Sequence, residues 1–573
     1  MTKIVRLQAT GAGATTLILF AMARTSVLVA CGLATATGLR IATPPRHAQV
    51  RMTTTLEAPP ITSKAPTQSP DEISEAAPLH VLIAGAGVGG LILANCLELS
   101  GAPVTYEILE RTKEFKKFGG PIQLASNAMQ GFRSIDSELY DEIESFATWT
   151  GNRTNGIKDG IRDEWYAKFD LKSPAAARDM PYTCVVDRPD LQDVLMKRVE
   201  TNLRNGAGVE SYKTNAAGGV TAVLMNGEEV HGDVLIGADG IWSKVRATMN
   251  NKDPRDGSSY SGYTVFAGEL SYNYKSTPSD IGPDPACGYK VYIGPQQYFV
   301  ITDIGKGRYQ WYSFLARPEG SEETEEKPDG VSNYLQGLFE GWSPEVHDIL
   351  QATQEYEIEQ RDLFDRPPSV LSPWTQGNVA LLGDAIHAMM PNLGQGGCQA
   401  LEDAMVLSEQ MTALKSRGEI SGALEEYRAR RLARSAAVQG LSRFASDIII
   451  RGFDTPAKVA IVDGKLIAEN LNYAGIVTRM LQPVLPVFFT VQFNFLYEGW
   501  ENKFSLEQVK IGLGLITLGV AFLAAFALTA GTEVAFLGAG VESLIGFEAA
   551  EGLGAFFAEQ GATIQEFFNG FGL

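Results

Sequence analysis

An α/β fold is predicted for this 573-residue chain: a parallel sheet layered with helices, carrying an inserted antiparallel sheet. Three observations predict it. A continuous apolar strand at 80–84 (HVLIA) runs through a glycine-rich turn straight into an apolar helix at 91–97 (LILANCL). The same passage from apolar strand to glycine-bearing turn to helix recurs at 232–246 and at 379–404. Between these two, residues 260–316 alternate aromatic and polar residues in short runs (YTVFAGEL, KVYIG, YFVITDI, RYQWYSFLA), the pattern of an antiparallel sheet.

The first segment carries the sharpest local chemistry. Residues 85–90 read Gly85-Ala86-Gly87-Val88-Gly89-Gly90, with Gly85, Gly87 and Gly90 in the GxGxxG places. Gly85 permits the tight turn, Gly87 lets the backbone approach a pyrophosphate, and Gly90 allows close packing of helix on strand. The helix N-terminus offers free N–H groups and the positive end of its dipole. A second strand, 104–109 (VTYEIL), ends at Glu110, twenty residues after Gly90. A carboxylate there binds a ribose 2′-OH and disfavours a 2′-phosphate. Glycine-rich runs at 11–13 and 538–540 lack this setting. A Rossmann-like dinucleotide unit is therefore expected at 85–110, and this site alone leaves NAD and FAD both open.

Two distant segments narrow the choice. A buried strand delivers Asp239-Gly240 to a loop, with Arg246 following on a helix. A further strand ends in Gly383-Asp384. It is followed by Pro391, then Gly394-Gln395-Gly396-Gly397-Cys398 opening a helix whose N-terminal amides suit a developing negative charge. In this order the three segments resemble the group A flavoprotein monooxygenases, the family of para-hydroxybenzoate hydroxylase, over residues 79–445. The resemblance implies a Rossmann-like FAD-binding domain with an antiparallel-sheet substrate domain at about 255–365. It implies that 85–90, with Glu110 and Arg111, hold the ADP half of FAD, and that Asp384 holds the ribityl chain. Asp239-Gly240 would serve both FAD and NAD(P)H, Arg188 would contact FAD, and 391–397 would lie by the flavin ring.

A narrower resemblance rests on GGPIQLASNA (119–128), WYAKFD (165–170), YSGYT (260–264), QYFV (297–300), QWY (310–312) and RDLFDR (361–366). These stretches are similar to the zeaxanthin epoxidases, a plastid family acting on xanthophylls at the thylakoid membrane. The resemblance implies epoxidation of a xanthophyll ring double bond through a flavin C4a-hydroperoxide, with O2 as co-substrate. The reductant would be NAD(P)H, bound transiently because no second complete dinucleotide motif exists, or reduced ferredoxin as a protein donor. No forkhead-associated domain of the plant type is expected, and the leader is of algal complex-plastid type.

Composition sets the outer limits. Hydrophobic residues make up 45% and charged residues 20%, and net charge is −19. Residues 1–76 hold seven basic against four acidic residues, so 77–573 carry −22. Such an acidic body argues against a nucleic-acid partner. Five scattered cysteines show no metal spacing, and their odd number fits a reducing compartment. No acid precedes Glu57, and 1–52 read as a plastid targeting segment. Residues 53–78 read as a Pro/Ser/Thr linker, with the folded body starting near Leu79. At the other end, 446–510 are expected as a helical extension. Residues 511–532 contain 22 residues without a charge, about 33 Å as a helix and enough to span a bilayer, although a buried core helix fits the same length. An acidic, aromatic tail follows at 533–573.

Within the antiparallel sheet, Tyr298, Phe299, Trp311, Tyr312 and Phe314 are candidates for contact with a long polyene, each also readable as sheet core. Epoxidation needs no base to ionise its substrate, so no catalytic side chain is assigned. His387 reads as a packed structural histidine. Two alternatives stay open: an FAD-dependent hydroxylase or prenyl reductase on another apolar substrate, and a non-catalytic binder that keeps the fold. Retention of Glu110, Asp239 and Asp384 weighs against the second.

Overall fold

In the computed structural model the described residues are 71–500, apart from 116–119, 216–217, 272–286, 295–296, 322–326, 369–371, 451–458, 463–464 and 469–484. The parallel sheet has six strands, in the order Thr375–Gln376, Val379–Leu381, Val234–Gly237, Leu79–Ala84, Val104–Glu110, Leu203–Asn205. All neighbours run parallel except the outermost pair, Thr375–Gln376 with Val379–Leu381. The three sequence segments thus lie on three adjacent strands, and their loops leave the same end of the sheet, where open α/β sheets bind ligands.

Helix Gly396–Thr412 is central to the helical layer. It packs on helix Val88–Glu98, on helix Ser126–Ile135 and on the long helix Ile420–Ile450. Val81, Leu82, Ile83, Leu235, Ile236 and Leu381 are fully buried between sheet and helices.

The second sheet has seven strands, in the order Ile358–Asp365, Ser259–Ser271, Arg308–Ala316, Gln297–Gly305, Cys287–Gly294, Thr154–Asp159, Trp165–Phe169. Its register alternates as the aromatic/polar pattern requires, and every pairing but one is antiparallel. The exception corrects the sequence reading. Thr154–Asp159 pairs parallel to Cys287–Gly294 because it enters from far earlier in the chain, and only a long crossover can bring two strands side by side in the same sense. The sheet therefore recruits residues 154–169 as well as 259–365.

Both ends of the folded body lie outside the expected limits. Residues 71–78 are held rather than loose. Arg417 donates to the carbonyls of Ala77 and Pro78 and to the Asp233 carboxylate, and Ile73 is buried in the core. Beyond 445, helix Ile420–Ile450 continues, and helix Leu485–Leu496 packs back on strand Trp165–Phe169. Leu496 and Tyr497 are part of the main core. Within the expected helical extension, Val459–Val462 and Lys465–Ala468 instead pair as antiparallel strands. The expected targeting segment, most of the linker, the apolar stretch 511–532 and the tail lie outside the described residues. Among the described residues no helix is long and apolar enough to cross a membrane.

Candidate functional site

The loop 85–90 is built by close approach. Gly85 has φ +109°, and a Cβ there would lie 2.6 Å from the Ala238 carbonyl oxygen. A Cβ on Gly90 would come within 2.1 Å of the Gly85 oxygen, so helix and strand touch only because both residues are glycine. Gly87 differs: no atom lies within 4 Å of where its Cβ would be. Nothing inside the protein needs that glycine, and the open space in front of it suits a ligand backbone. The Glu110 carboxylate accepts from Ala86 N at 2.8 Å and from Thr112 N at 2.7 Å. It fixes the loop at the edge of the strand, while Arg111 next to it is exposed.

The second and third segments close around this loop. A Cβ on Gly89 would strike the Leu382 side chain at 2.5 Å and the Ala400 Cβ at 3.2 Å. Asp239 accepts from Lys244 N at 2.7 Å and Val245 N at 3.2 Å, through one carboxylate oxygen. Its other oxygen is buried without a partner. Burial raises the Asp239 pKa against the pull of Ser243 and these amides. Gly240, at φ +79°, turns the chain away.

Gly383, at φ +61°, presents Asp384 at the start of a short helical turn, and its own N–H donates to Asp403 at 3.0 Å. Asp384 is exposed to solvent. Desolvation raises its pKa, opposed by His387 and by Arg188. Arg188 opens helix Arg188–Lys197 and is exposed, so the fold brings it within electrostatic reach of Asp384. Pro391–Leu393 forms one tight turn, Gly394 takes the left-handed conformation at φ +59°, and helix Gly396–Thr412 begins. A Cβ on Gly397 would lie 2.7 Å from Ile122. The Gln395 side chain is buried, accepting from Asn127 and Gln399 at 3.2 Å each.

Sequence reading missed what supports these loops. Glu402 and Asp403, fully buried on helix Gly396–Thr412, meet two arginines of the long helix. Arg431 donates to Asp403 at 2.7 Å and to Glu402 at 2.6 Å, and Arg434 holds Glu402 at 2.7 and 2.9 Å. Burial would raise the Glu402 pKa, but the two guanidiniums outweigh it and hold it at about 2. Asp403 also meets His387 Nε2 at 2.6 Å, so the histidine is a packed structural one, as expected. In sequence the two acids read as ordinary surface charge, since the same helix also carries Gln399, Ser408, Glu409 and Gln410.

The two faces of the seven-stranded sheet divide the five aromatic candidates. Tyr298, Tyr312 and Phe314 face inward, with Tyr263, Tyr166 and Met390. Tyr298 stacks on Phe314 at 4.2 Å between centroids and donates to Asn392, beside Pro391. Phe299 and Trp311 lie on the other face, packed with Phe339 and Trp342. Side chains alternate along a strand, so neighbours in sequence lie on opposite faces, and the five residues divide between two buried clusters.

The residues fit a dinucleotide cofactor: open space at Gly87, a partnerless Asp239 oxygen, an exposed Asp384 and a helix N-terminus lie on or just after the loops that leave one end of the parallel sheet. The model of the FAD binding domain family matches residues 78–442. The chain belongs to the FAD binding domain family. Among curated relatives, a chloroplastic zeaxanthin epoxidase of Arabidopsis thaliana is 39% identical over 374 residues, which is 63% of this chain and 53% of that one. One from Spinacia oleracea is 37% identical over 390 residues, 66% of this chain and 55% of its own. The chain thus spans about half the length of the curated relatives it matches. Among solved structures, Klebsiella pneumoniae HpxO complexed with FAD and uric acid aligns with a TM-score of 0.56 at 26% identity, over 65% of this chain and 88% of that one. A salicylate hydroxylase substrate complex, at 21% identity and TM-score 0.56, covers 77% of this chain and 98% of its own and shares the fold. Among the described residues no group of ligands suits a metal ion.

Proposed function

We propose that this FAD-binding protein is a monooxygenase that epoxidises the ring double bonds of a xanthophyll at a plastid membrane. The observation that carries the substrate is the 39% identity to a chloroplastic zeaxanthin epoxidase over 374 residues. The inward cluster of Tyr166, Tyr263, Tyr298, Phe314 and Met390 supports it, being an apolar wall suited to a hydrocarbon.

When bound and reduced, FAD supplies the activation of O2 that oxygen insertion needs. The chain's own residues bind and orient. Gly87 admits the pyrophosphate against the amides of helix Val88–Glu98, Glu110 holds the loop and its ribose, and Asp384 with Arg188 meets the ribityl and phosphate region. Gly394 to Gly397 would offer the first amides of helix Gly396–Thr412 to negative charge developing on the ring system. The aromatic wall excludes water, which keeps oxygen transfer ahead of peroxide release. No side chain has to take a proton from an alkene, and no base is assigned. NAD(P)H or reduced ferredoxin supplies electrons.

The test is incubation of the FAD-loaded full chain with zeaxanthin, reductant and O2. Mono- and di-epoxides are expected. A flavin that is reduced and reoxidised without any epoxide refutes the reading, and favours a hydroxylase on another apolar substrate.

A further inference from the structure

Helix Leu485–Leu496 is at odds with its place in the fold. Its sequence, LPVFFTVQFNFL, holds no charged residue, yet it lies at the surface of the body. Pro486 and Thr490 are exposed, and Phe488 and Val491 are only partly buried, while the polar Gln492 is buried. A surface helix normally turns charged and polar residues outward, and a helix apolar on all sides is normally enclosed. This one is enclosed on one side. Phe489 and Phe493 pack on Phe169, with ring centroids 4.3 and 6.2 Å apart, and Leu496 enters the main core. Pro486, Phe488, Thr490 and Val491 keep surface open to the outside.

The helix is fastened to the body. Arg434 donates to the carbonyls of Phe495 and Leu496 at 2.9 and 2.8 Å, Arg178 donates to Asn494 Oδ1 at 2.8 Å, and the hydroxyls of Tyr497 and Thr183 meet at 2.9 Å. Its open side therefore has a fixed direction. Strand Trp165–Phe169, on which it packs, also carries Tyr166, a member of the inward aromatic cluster of the substrate sheet.

Two further observations bear on what covers that side. The chain leaves it towards apolar sequence: only residues 501–510 separate Trp500 from the 22 uncharged residues 511–532. That stretch therefore starts no more than about 40 Å from Trp500. The second observation is charge. Residues 77–573 carry −22, so anionic headgroups repel the body. Exposed Asp170 and Lys172, on the segment next to Phe169, cancel each other. A bilayer surface with uncharged headgroups fits both observations, because it accepts apolar side chains at the headgroup and acyl boundary without a basic rim.

We infer that helix Leu485–Leu496 docks on the interfacial zone of a lipid bilayer with uncharged headgroups, and so sets the edge of the substrate sheet against the membrane. The inference deepens the membrane part of the function proposed above. Covering what Phe488 and Val491 leave open is worth about the burial of one apolar side chain. In a chain already held by 511–532, the docked orientation is then expected to exceed the undocked one by about tenfold. By itself the contact is too weak to retain a truncated body on the membrane.

The experiment uses the FAD-loaded full chain with a nitroxide on Thr490→Cys, in a Cys31→Ser background; the other four cysteines are buried. Phosphatidylcholine vesicles are expected to cut collisions of this label with a water-soluble nickel chelate by about tenfold. A label on Lys213→Cys, exposed on the separate three-stranded sheet, is expected not to change. Phe488→Glu in the labelled chain is expected to abolish the effect at 490 while the chain still sediments with vesicles. Should that variant lose flavin or thermal midpoint, Val491→Glu is measured instead, with the same loss expected. A 490 label equally accessible with and without vesicles, in a chain that sediments with them, overturns the inference, as does a chain that does not sediment. Exclusion of the chelate without lipid also overturns it: if removing residues from Lys510 onward restores access, the chain's own tail covers the helix, and if exclusion grows with protein concentration, a second copy does. No carotenoid enters the test, so its failure is distinguishable from failure of the epoxidase reading, which has its own assay.

Discussion

Two glycines of one loop should fail in opposite ways when given a methyl group. At Gly90 the new Cβ would sit 2.1 Å from the Gly85 oxygen and 3.3 Å from the Ala238 Cβ. An ordinary contact needs roughly 3.4 Å, so helix and strand must part by about 1 Å, an overpacking that costs about 1–3 kcal/mol. At Gly87 the Cβ meets nothing within 4 Å, and the backbone, at φ −70° and ψ 174°, is one that alanine adopts freely. Losing glycine at the N-cap and gaining chain stiffness roughly cancel, within about 1 kcal/mol. Gly90→Ala should therefore lower the denaturation midpoint of the flavin-free protein, and Gly87→Ala should leave it nearly unchanged. The flavin titration should show a second contrast. Gly87→Ala should weaken FAD by about tenfold or more, near 1.4 kcal/mol, because its methyl group fills the space where a pyrophosphate approaches. The measurements are denaturant unfolding of the stripped protein and fluorescence titration with FAD. If Gly87→Ala binds FAD like the wild type, the loop is not the phosphate cradle and the assignment of 85–90 fails.

Other outcomes follow from the same structure. Asp384→Ala, which removes an accessible carboxylate whose side chain has no hydrogen-bond partner among the described residues, should weaken FAD at least about tenfold with little change in thermal midpoint, checked by titration and melting of the apoprotein. Glu402→Gln leaves Arg431 and Arg434 under-neutralised in the core and should destabilise by about 3–5 kcal/mol in denaturant. Glu402 also sets an acid limit: its folded pKa of about 2 lies below its ordinary 4.5. Its stabilisation is thus complete above about pH 4.5 and lost as pH falls towards 2, and the slope of stability against pH in that window should be shallower in Glu402→Gln. Removing residues from Lys510 onward should release the protein from membranes, and a truncated form that still sediments with vesicles argues against an anchor at 511–532.

What the sequence made legible was whatever repeats locally. The apolar strands at 80–84, 234–237 and 379–381 declare themselves by composition, and each glycine turn lies within a few residues of its strand. That they meet on adjacent strands is visible only in the six-stranded sheet. The second sheet was visible as alternation, but alternation says nothing of which face is inward. Phe299 and Trp311 were grouped with Tyr298 and Phe314 although strand geometry forces them apart. Residues 154–169 were not assigned to that sheet because their partner, Cys287–Gly294, lies more than a hundred residues away, and no local period encodes so distant a pairing.

The ion network under the flavin loops is the deeper case. Glu402 and Asp403 sit about thirty residues from Arg431 and Arg434, and in sequence each pair reads as ordinary surface charge. Only the fold shows that all four are buried. Removing either side would strand charges in a low-dielectric interior, so the long helix cannot be displaced without disturbing helix Gly396–Thr412, Gly383 and Gln395. Arg434 extends the tie further, donating to the carbonyls of Phe495 and Leu496 at 2.9 and 2.8 Å. Residues beyond the matched family segment thereby end helix Leu485–Leu496 on the same arginine that holds Glu402. The loop proposed to face the flavin ring is consequently fixed from behind by chain that lies beyond the matched family segment, and a deletion that stops at 445 should cost cofactor binding as well as stability.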